Sequence, residues 1–289
     1  MAAFKPQILL IGASGQLGQA FLALPEFPPS ILTPTHEELD ITRLENLDKY
    51  GEDHLDIGLI INCAAATDVE TLEGDPTCAD LQNRISAKNL AEFSNRLKAP
   101  LIHFSTDYVF DGKKQTPYTE NDATNPINIY GKSKRAGEEE ILTHAEHAVI
   151  FRTSWLISHR GENFLTKIIK KARGGEALKI VTDQIGSPTS ADDLARMVWA
   201  AMPKIKENKT VTLYHLCNTG QTSWYDLAKF ILDISGIFSA IIPIKSSELA
   251  SKVNRPSYSA LATEKFVQGV RIMPRSWEAA VSEIIAKIK

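Results

Sequence analysis

Along most of the chain, short apolar runs alternate with stretches whose apolar residues recur at helical spacing. Ile8-Leu9-Leu10-Ile11 is the first run; glycines follow, then a helical pattern through Leu17, Phe21, Leu22 and Leu24. Ser30 to Thr33 predicts a short second strand and Leu59-Ile60-Ile61-Asn62 a third. A polar helix marked by Leu90, Ala91 and Phe93 leads to a fourth strand at Leu101-Ile102-His103-Phe104. The Lys- and Glu-rich stretch from Tyr130 to Leu142 predicts a helix, and Ala148 to Phe151 a fifth strand. A strand that is apolar without alternation must be covered on both faces. Such strands separated by helices predict an α/β fold, a doubly wound parallel sheet with helices on both sides.

The alternation loosens after Trp155. Asn163 to Arg173 predicts a helix stopped by Gly174-Gly175. Ala191 to Met202 predicts another, with Asp192 and Asp193 in the first turn, where the helix dipole favours acids. Val211 to Leu216 predicts a sixth parallel strand, and Thr222 or Ser223 an N-cap for a helix running through Leu232. From Gly236 onward the chain is rich in Pro, Ser and Lys, with short elements. The expected division is a sheet domain over residues 1–155 that also receives about 190–235. A smaller, discontinuous region over 156–189 and 236–289 is expected to return across the mouth of the sheet.

The bulk numbers exclude several classes. The chain has 289 residues, 43% hydrophobic and 23% charged, enough for one large domain or two modest ones with a real core. A net charge of −3 gives no positive field for nucleic acid or an anionic membrane. No apolar segment approaches the roughly 20 residues of a membrane helix, and the first strand is too short for a signal peptide. Cys63, Cys78 and Cys217 have no CxxC spacing and read as reduced thiols. Cys63 lies in an apolar run, where packing is the expected role. A cytoplasmic protein is expected, without a nucleic-acid or membrane partner.

Gly12-Ala13-Ser14-Gly15-Gln16-Leu17-Gly18 follows the first strand directly and opens a helix. Glycines in this GxxGxxG turn let the backbone approach a pyrophosphate, whose charge rests on the helix N-terminus. After the N-terminal strand of an alternating chain, the turn predicts a Rossmann-type dinucleotide site rather than a plain connection. The acid that would bind the ribose hydroxyls is missing from the second strand end, Thr33-Pro34-Thr35-His36. Thr35 and His36 leave room for a 2′-phosphate, with no arginine beside them to grip it. NADPH and NADH both remain open as cofactors. Asp40-Ile41 reads either as adenine-pocket wall or as a loop and helix cap.

Tyr130 and Lys134 are four residues apart on a predicted helix and share one face. A nearby ammonium stabilises a phenolate and brings its proton within catalytic reach. Alone, YxxxK is common by chance. Here a hydroxyl-rich strand end, Ser105-Thr106-Asp107-Tyr108-Val109-Phe110, precedes it, where ligands bind in open α/β sheets. Thr106 can hold a carbonyl oxygen while Tyr130 gives it a proton.

GxxGxxG, Asn62-Cys63-Ala64-Ala65, Ser105-Thr106 and YxxxK together resemble the extended short-chain dehydrogenase/reductases. Four further segments narrow the resemblance to the dTDP-4-dehydrorhamnose reductases: Ser105 through Gly112, Arg152-Thr153-Ser154-Trp155, Thr182 through Thr189, and Arg255-Pro256-Ser257-Tyr258-Ser259. The resemblance covers nearly the whole chain. It implies that Thr106, Tyr130 and Lys134 form the catalytic triad, Tyr130 protonating the alkoxide formed at C4 of a keto-sugar. It places Gly12, Gly15, Gln16, Leu17 and Gly18 on the pyrophosphate, Asp40 and Ile41 on the adenine side, and Ala64 and Ala65 along the cofactor, with Lys134 on the nicotinamide ribose. A dTDP-sugar is the implied substrate, held by Thr106, Asp107, Tyr108, Trp155, Asn163, Gln184 and Arg255. A core tryptophan and a surface salt bridge remain the plain alternatives for Trp155 and Arg255.

The chain departs from the pattern in two places. Ala66 stands where the family often has an aromatic residue or histidine. Ala20 stands where some members have a magnesium-binding glutamate at a dimer interface, so no metal is expected and a homodimer is left open. His144 and His147, at helical i,i+3 spacing, read as a solvated face rather than as ligands. A nucleotide-sugar epimerase or dehydratase is a competing reading, although Tyr108 stands where a dehydratase would carry glutamate after Asp107. A non-catalytic regulatory subunit, of the kind that partners methionine adenosyltransferase, is another.

Overall fold

A computed structural model describes residues 7–28, 30–207 and 209–288. Its central sheet has six parallel strands: β1 Gln7–Ile11, β2 Ile31–Leu32, β3 Ile57–Asn62, β4 Leu101–Thr106, β5 Ala148–Thr153 and β6 Thr212–His215. Their order is β6-β5-β4-β3-β1-β2. Each lies within two residues of its expected bounds. Successive residues of a strand face opposite sides. Leu10, Ile61, Ile102 and Val149 therefore join one core with the helices Gln16–Leu22 and Ala191–Glu207. Leu9, Ile60, Leu101 and Ile150 join another with Leu44–Asp53 and Ser86–Leu97. This double coverage is why the strands read as unbroken apolar runs.

The chain steps from β1 outward to β2, then returns to the other side of β1 to form β3. Connections leave β1 and β3 in opposite directions, and the crevice at their carboxyl ends is the ligand position of open α/β sheets.

A third core joins the helices Phe164–Arg173, Trp224–Ser235 and Trp277–Ile288 through Leu165, Ile231 and Val281. A parallel pair, Leu178–Val181 with Ile241–Ile244, packs on it. The expected division sends the Trp224–Ser235 helix back to the sheet with residues 190–235. It packs in this third core instead, because Ala191–Glu207 already fills the sheet face and the apolar side of Trp224–Ser235 meets the other two helices. The C-terminal region crosses the sheet's mouth. Asn128 Nδ2 donates to Asn254 O at 2.8 Å, and a Cβ on Gly112 would lie 2.7 Å from Pro256 Cα.

The helix Ile129–His144 ends before His147, so the two histidines do not share a helical face. His144 Nδ1 lies against Glu140 O and His147 Nε2 against Ile205 O. No helix among the described residues is long and apolar enough to cross a membrane.

Candidate active site

The glycine turn lies in the crevice. Gly12 has φ +74°, and a Cβ on it would lie 2.6 Å from Ala64 N, just past β3. A Cβ on Gly18 would lie 2.3 Å from Gly12 O. These two glycines let the turn sit on β3 and the helix sit on the turn. Gly15 differs: it is exposed, and its Cβ would meet only Gly12 O, at 3.4 Å. It is the N-cap of Gln16–Leu22 and has no side chain to satisfy the first-turn N–H groups. Uncapped N–H groups at a helix start suit an anion, so these residues fit a dinucleotide's diphosphate.

The other residues expected on the cofactor side divide. Leu17 packs its side chain into the core, leaving its backbone for the turn. Ala64 N donates to Asn62 Oδ1 at 3.0 Å, and Ala65 is exposed beside it. Ile41 is buried against the β1 side of the sheet. Asp40 caps its own turn, Oδ1 accepting from Thr42 Oγ1 at 2.6 Å and Thr42 N at 3.0 Å. The second strand end is less bare of acid than its sequence: Glu38 folds back, and its Oε2 accepts from Thr35 N at 2.7 Å.

Thr106, Tyr130 and Lys134 come together at the end of β4. Asn128 caps the Ile129–His144 helix, its Oδ1 accepting from Gly131 N at 2.8 Å. A Cβ on Gly131 would lie 2.2 Å from Tyr108 O; glycine there lets the helix start against the turn after β4. Tyr130 thereby reaches Thr106 with a side-chain hydrogen bond, and its ring meets Tyr108 edge-on at 5.7 Å. Lys134 is buried, donating from Nζ to Phe104 O at 2.7 Å. Burial raises the Tyr130 pKa to about 12, the Thr106 hydrogen bond opposing it. Burial lowers Lys134 to about 8, with Glu138 opposing. Burial also pushes Asp107 up to about 7 against hydrogen bonds from Ser259 and Thr106. Asp107 Oδ1 lies 3.0 Å from Thr106 Oγ1, and its buried Oδ2 has no partner. A protonated phenol, a hydroxyl and a buried lysine can deliver a proton to an oxygen held at this edge.

The remaining residues surround the mouth. Trp155, at φ +47°, stacks on Trp224 with ring centroids 3.5 Å apart. Gln184 Nε2 donates to Ser246 Oγ at 2.9 Å. Arg255 donates to Glu70 Oε1 at 2.6 Å and Ser251 Oγ at 2.8 Å. Gln184 and Arg255 line one polar pocket of about 310 Å³. Asn163 does not join them. Its Oδ1 accepts from Leu165 N and Thr166 N as a helix cap, and its Nδ2 donates to Ser158 O at 2.8 Å and Gln16 Oε1 at 3.0 Å. Its polar atoms have internal partners, and through Gln16 they tie the glycine turn to the Phe164–Arg173 helix.

A family model described as RmlD substrate binding domain matches residues 6–289. The chain belongs to the RmlD substrate binding domain family. It is 36% identical over 280 residues to the spore coat polysaccharide biosynthesis protein SpsK of Bacillus subtilis (strain 168), covering 96% of each chain. It is 33% identical over 292 residues to the dTDP-4-dehydrorhamnose reductase of Escherichia coli (strain K12), covering 97% of each. The solved dTDP-4-dehydrorhamnose reductase of Bacillus anthracis str. Ames, in complex with NADP, matches with a TM-score of 0.91 at 33% identity, covering 98% of this chain and 100% of that one.

This member of the RmlD family also holds functional candidates that the sequence does not reveal. Asn83 sits in a π-helical turn, Asp80–Ile85. Its Oδ1 accepts from Ala66 N at 3.0 Å, and its Nδ2 donates to Ala66 O at 3.0 Å and Ser133 Oγ at 2.9 Å. It ties the end of β3 to the Tyr130 helix and fixes the Ala66 backbone irrespective of the side chain there. A π turn breaks the helical period, so spacing gives no sign of it. Glu70 and His103 escape a sequence reading because each acts through a partner distant in sequence.

Proposed function

We propose that the chain is an NAD(P)H-dependent oxidoreductase that reduces the C4 keto group of dTDP-4-dehydro-6-deoxy-L-mannose to dTDP-L-rhamnose, in nucleotide-sugar biosynthesis for cell-surface polysaccharide. The observation that carries it is the meeting of Thr106, Tyr130 and Lys134 at the end of β4, across β3 from the strand that leads into the glycine turn. Full-length similarity to named dTDP-4-dehydrorhamnose reductases supports the choice of substrate. The cofactor, NADPH or NADH, supplies hydride when bound. Tyr130, with its pKa raised to about 12, is protonated at neutral pH and is the acid for the sugar oxygen. Thr106 holds that oxygen, and the ammonium of Lys134 stabilises the tyrosine once its proton has gone.

In this reading the sheet unit carries the dinucleotide. Residues 156–189 and 236–289, with the Trp224–Ser235 helix, carry the sugar nucleotide through Gln184 and Arg255, together with Trp155 at the end of the sheet unit. Asp107 and Tyr108 line the sugar side of Thr106. A cytoplasmic location goes with it, and a homodimer is compatible but not required.

The test mixes the purified protein with NADPH and dTDP-4-dehydro-6-deoxy-L-mannose and follows nicotinamide oxidation near roughly 340 nm. Turnover is expected, falling at least about 10²-fold in Tyr130→Phe, the usual size of a lost general acid. Absent turnover with NADP binding retained points to a regulatory subunit; a tightly held, non-exchanging NAD points to an epimerase.

A further inference from the structure

Beneath the Tyr130 helix, three buried polar side chains stand in a line whose protons can be counted. Asn62 Oδ1 accepts from Ala64 N at 3.0 Å, which fixes the orientation of the amide. Its Nδ2 then lies 3.1 Å from His103 Nδ1. An amide NH2 only donates, so Nδ1 must accept. Burial, helped by the neighbouring Lys134, holds the His103 pKa well below its ordinary value, so the ring is neutral. A neutral imidazole has one N–H, and here it falls on Nε2. That nitrogen lies 3.3 Å from Lys134 Nζ. An N–H aimed at an ammonium sets donor against donor; aimed at an amine, it meets a lone pair. The other contact of Nζ, Phe104 O, accepts from either form.

The charged neighbours do not reverse this. Glu138, one turn along the same helix, is taken by Arg152 at 2.7 and 2.8 Å and by Arg135 at 3.3 Å. Asp107, just past β4, faces Thr106. Tyr130 is protonated. Among the described residues, no carboxylate forms an ion pair with Lys134.

We infer that Asn62 and His103 are positioning residues acting through Lys134: the pinned tautomer of His103 favours the amine over the ammonium and so sets the pH above which Lys134 no longer supports Tyr130. The link to Tyr130 rests on the reductase reading; the tautomer and the lysine's titration do not. Asn62 is thereby given two tasks, closing the strand end beside Gly12 and choosing which imidazole nitrogen faces the lysine. The two tasks use opposite ends of one amide, so the cofactor turn and the proton-transfer site share a reference point.

The test uses the intact protein and two spectra that need no substrate. Ring-15N labelling of the seven histidines, with His103 assigned by its loss in His103→Gln, reads the tautomer. The expected result is an Nε2–H ring that is neutral at neutral pH and stays so below the pH at which an ordinary imidazole takes up its proton. An Nδ1–H ring, or an imidazolium at neutral pH, overturns the inference. The second spectrum follows 13Cε of Lys134, assigned with Lys134→Arg, as a function of pH. In His103→Gln the new amide can turn its oxygen to the ammonium, and the midpoint should rise by about one pH unit, a tenfold change in proton affinity. An unmoved midpoint in a folded variant overturns it as well. The alkaline limb of kcat/KM should follow the 13Cε midpoint. If the wild type shows no turnover, the reductase reading fails while both spectra still decide the tautomer and the titration.

Discussion

The two halves of the mouth are built from different materials. The half proposed to hold the dinucleotide is backbone: Gly12 and Gly18 are needed because a Cβ would strike main-chain atoms at 2.6 and 2.3 Å, and the first-turn N–H groups are left without a side-chain cap. The half proposed to hold the sugar nucleotide is side chain, and several of its polar groups already have internal partners: Gln184 with Ser246, Arg255 with Glu70 and Ser251. A backbone site is set when the chain folds. A side-chain site must exchange one set of hydrogen bonds for another when substrate arrives, and the exchange can be tuned by residues that never touch substrate.

The contrast breaks most sharply at Gly18. Gly18→Ala forces a Cβ into Gly12 O and should abolish measurable dinucleotide binding by calorimetry, with a stability loss of at least about 1–3 kcal/mol, typical of overpacking. Retained NADP affinity in this variant would mean that the turn adapts and is not a rigid half. The next effect concerns Asp107. Its folded pKa, about 7, lies above the carboxylate range, so its ionisation costs stability progressively as pH rises from the unfolded value through 7. Once ionised, it also holds the Thr106 proton that the substrate oxygen needs. Asp107→Asn should therefore be more stable than the wild type above pH 7, by up to on the order of 4 kcal/mol, the free energy of a roughly thousandfold change in proton affinity. Below the unfolded pKa the two should be about equal. The same variant should lose the lower of two alkaline limbs in kcat/KM, leaving the limb of Lys134. Chemical denaturation at two pH values and one rate profile check both halves of this statement.

Legibility in the sequence follows the same division. The four inner strands are covered on both faces and stand out by their apolar runs, with buried polar residues mainly toward their carboxyl ends, whereas the edge strands Ile31–Leu32 and Thr212–His215 are half-buried and legible chiefly from their place in the alternation. The glycine turn is legible because Gly12 and Gly18 have no room for a Cβ. Tyr130 and Lys134 are one helical turn apart, and Thr106 ends the strand beside them. The partner of the Trp224–Ser235 helix is not legible, because an amphipathic pattern states that a face is buried, not against what. The role of Asn163 is ambiguous, because a polar residue before a helix fits both a cap and a ligand. His103, Asn83 and Glu70 act through pairings across 17 to 185 positions of chain, which no local pattern encodes.

A smaller effect tests whether the sugar half is tuned from outside. Glu70 holds Arg255 in a half-exposed ion pair, and such pairs are worth roughly 0.2–1 kcal/mol. Glu70→Gln should free the guanidinium for diphosphate and lower KM for the sugar nucleotide, by no more than about fivefold, with the affinity for NADPH unchanged. A raised KM would show instead that Glu70 positions Arg255 for the substrate.

The smallest effect falls where the two halves meet. Asn163 caps the Phe164–Arg173 helix and also reaches Gln16 in the glycine turn. As a cap alone, its loss in Asn163→Ala should cost about 1 kcal/mol and leave both substrate constants alone. As a tether it should add a modest loss of NADPH affinity, because Gln16 loses the donor that draws its side chain away from the turn. Asn163→Asp separates the two. Aspartate still accepts from Leu165 N and Thr166 N, but it can donate neither to Gln16 Oε1 nor to Ser158 O. Both variants lose the bond to Ser158 O, so stability does not decide the matter; weakened NADPH binding in Asn163→Asp identifies the tether, whereas unchanged binding reduces Asn163 to its structural hydrogen bonds and leaves the two halves of the mouth mechanically independent at this point.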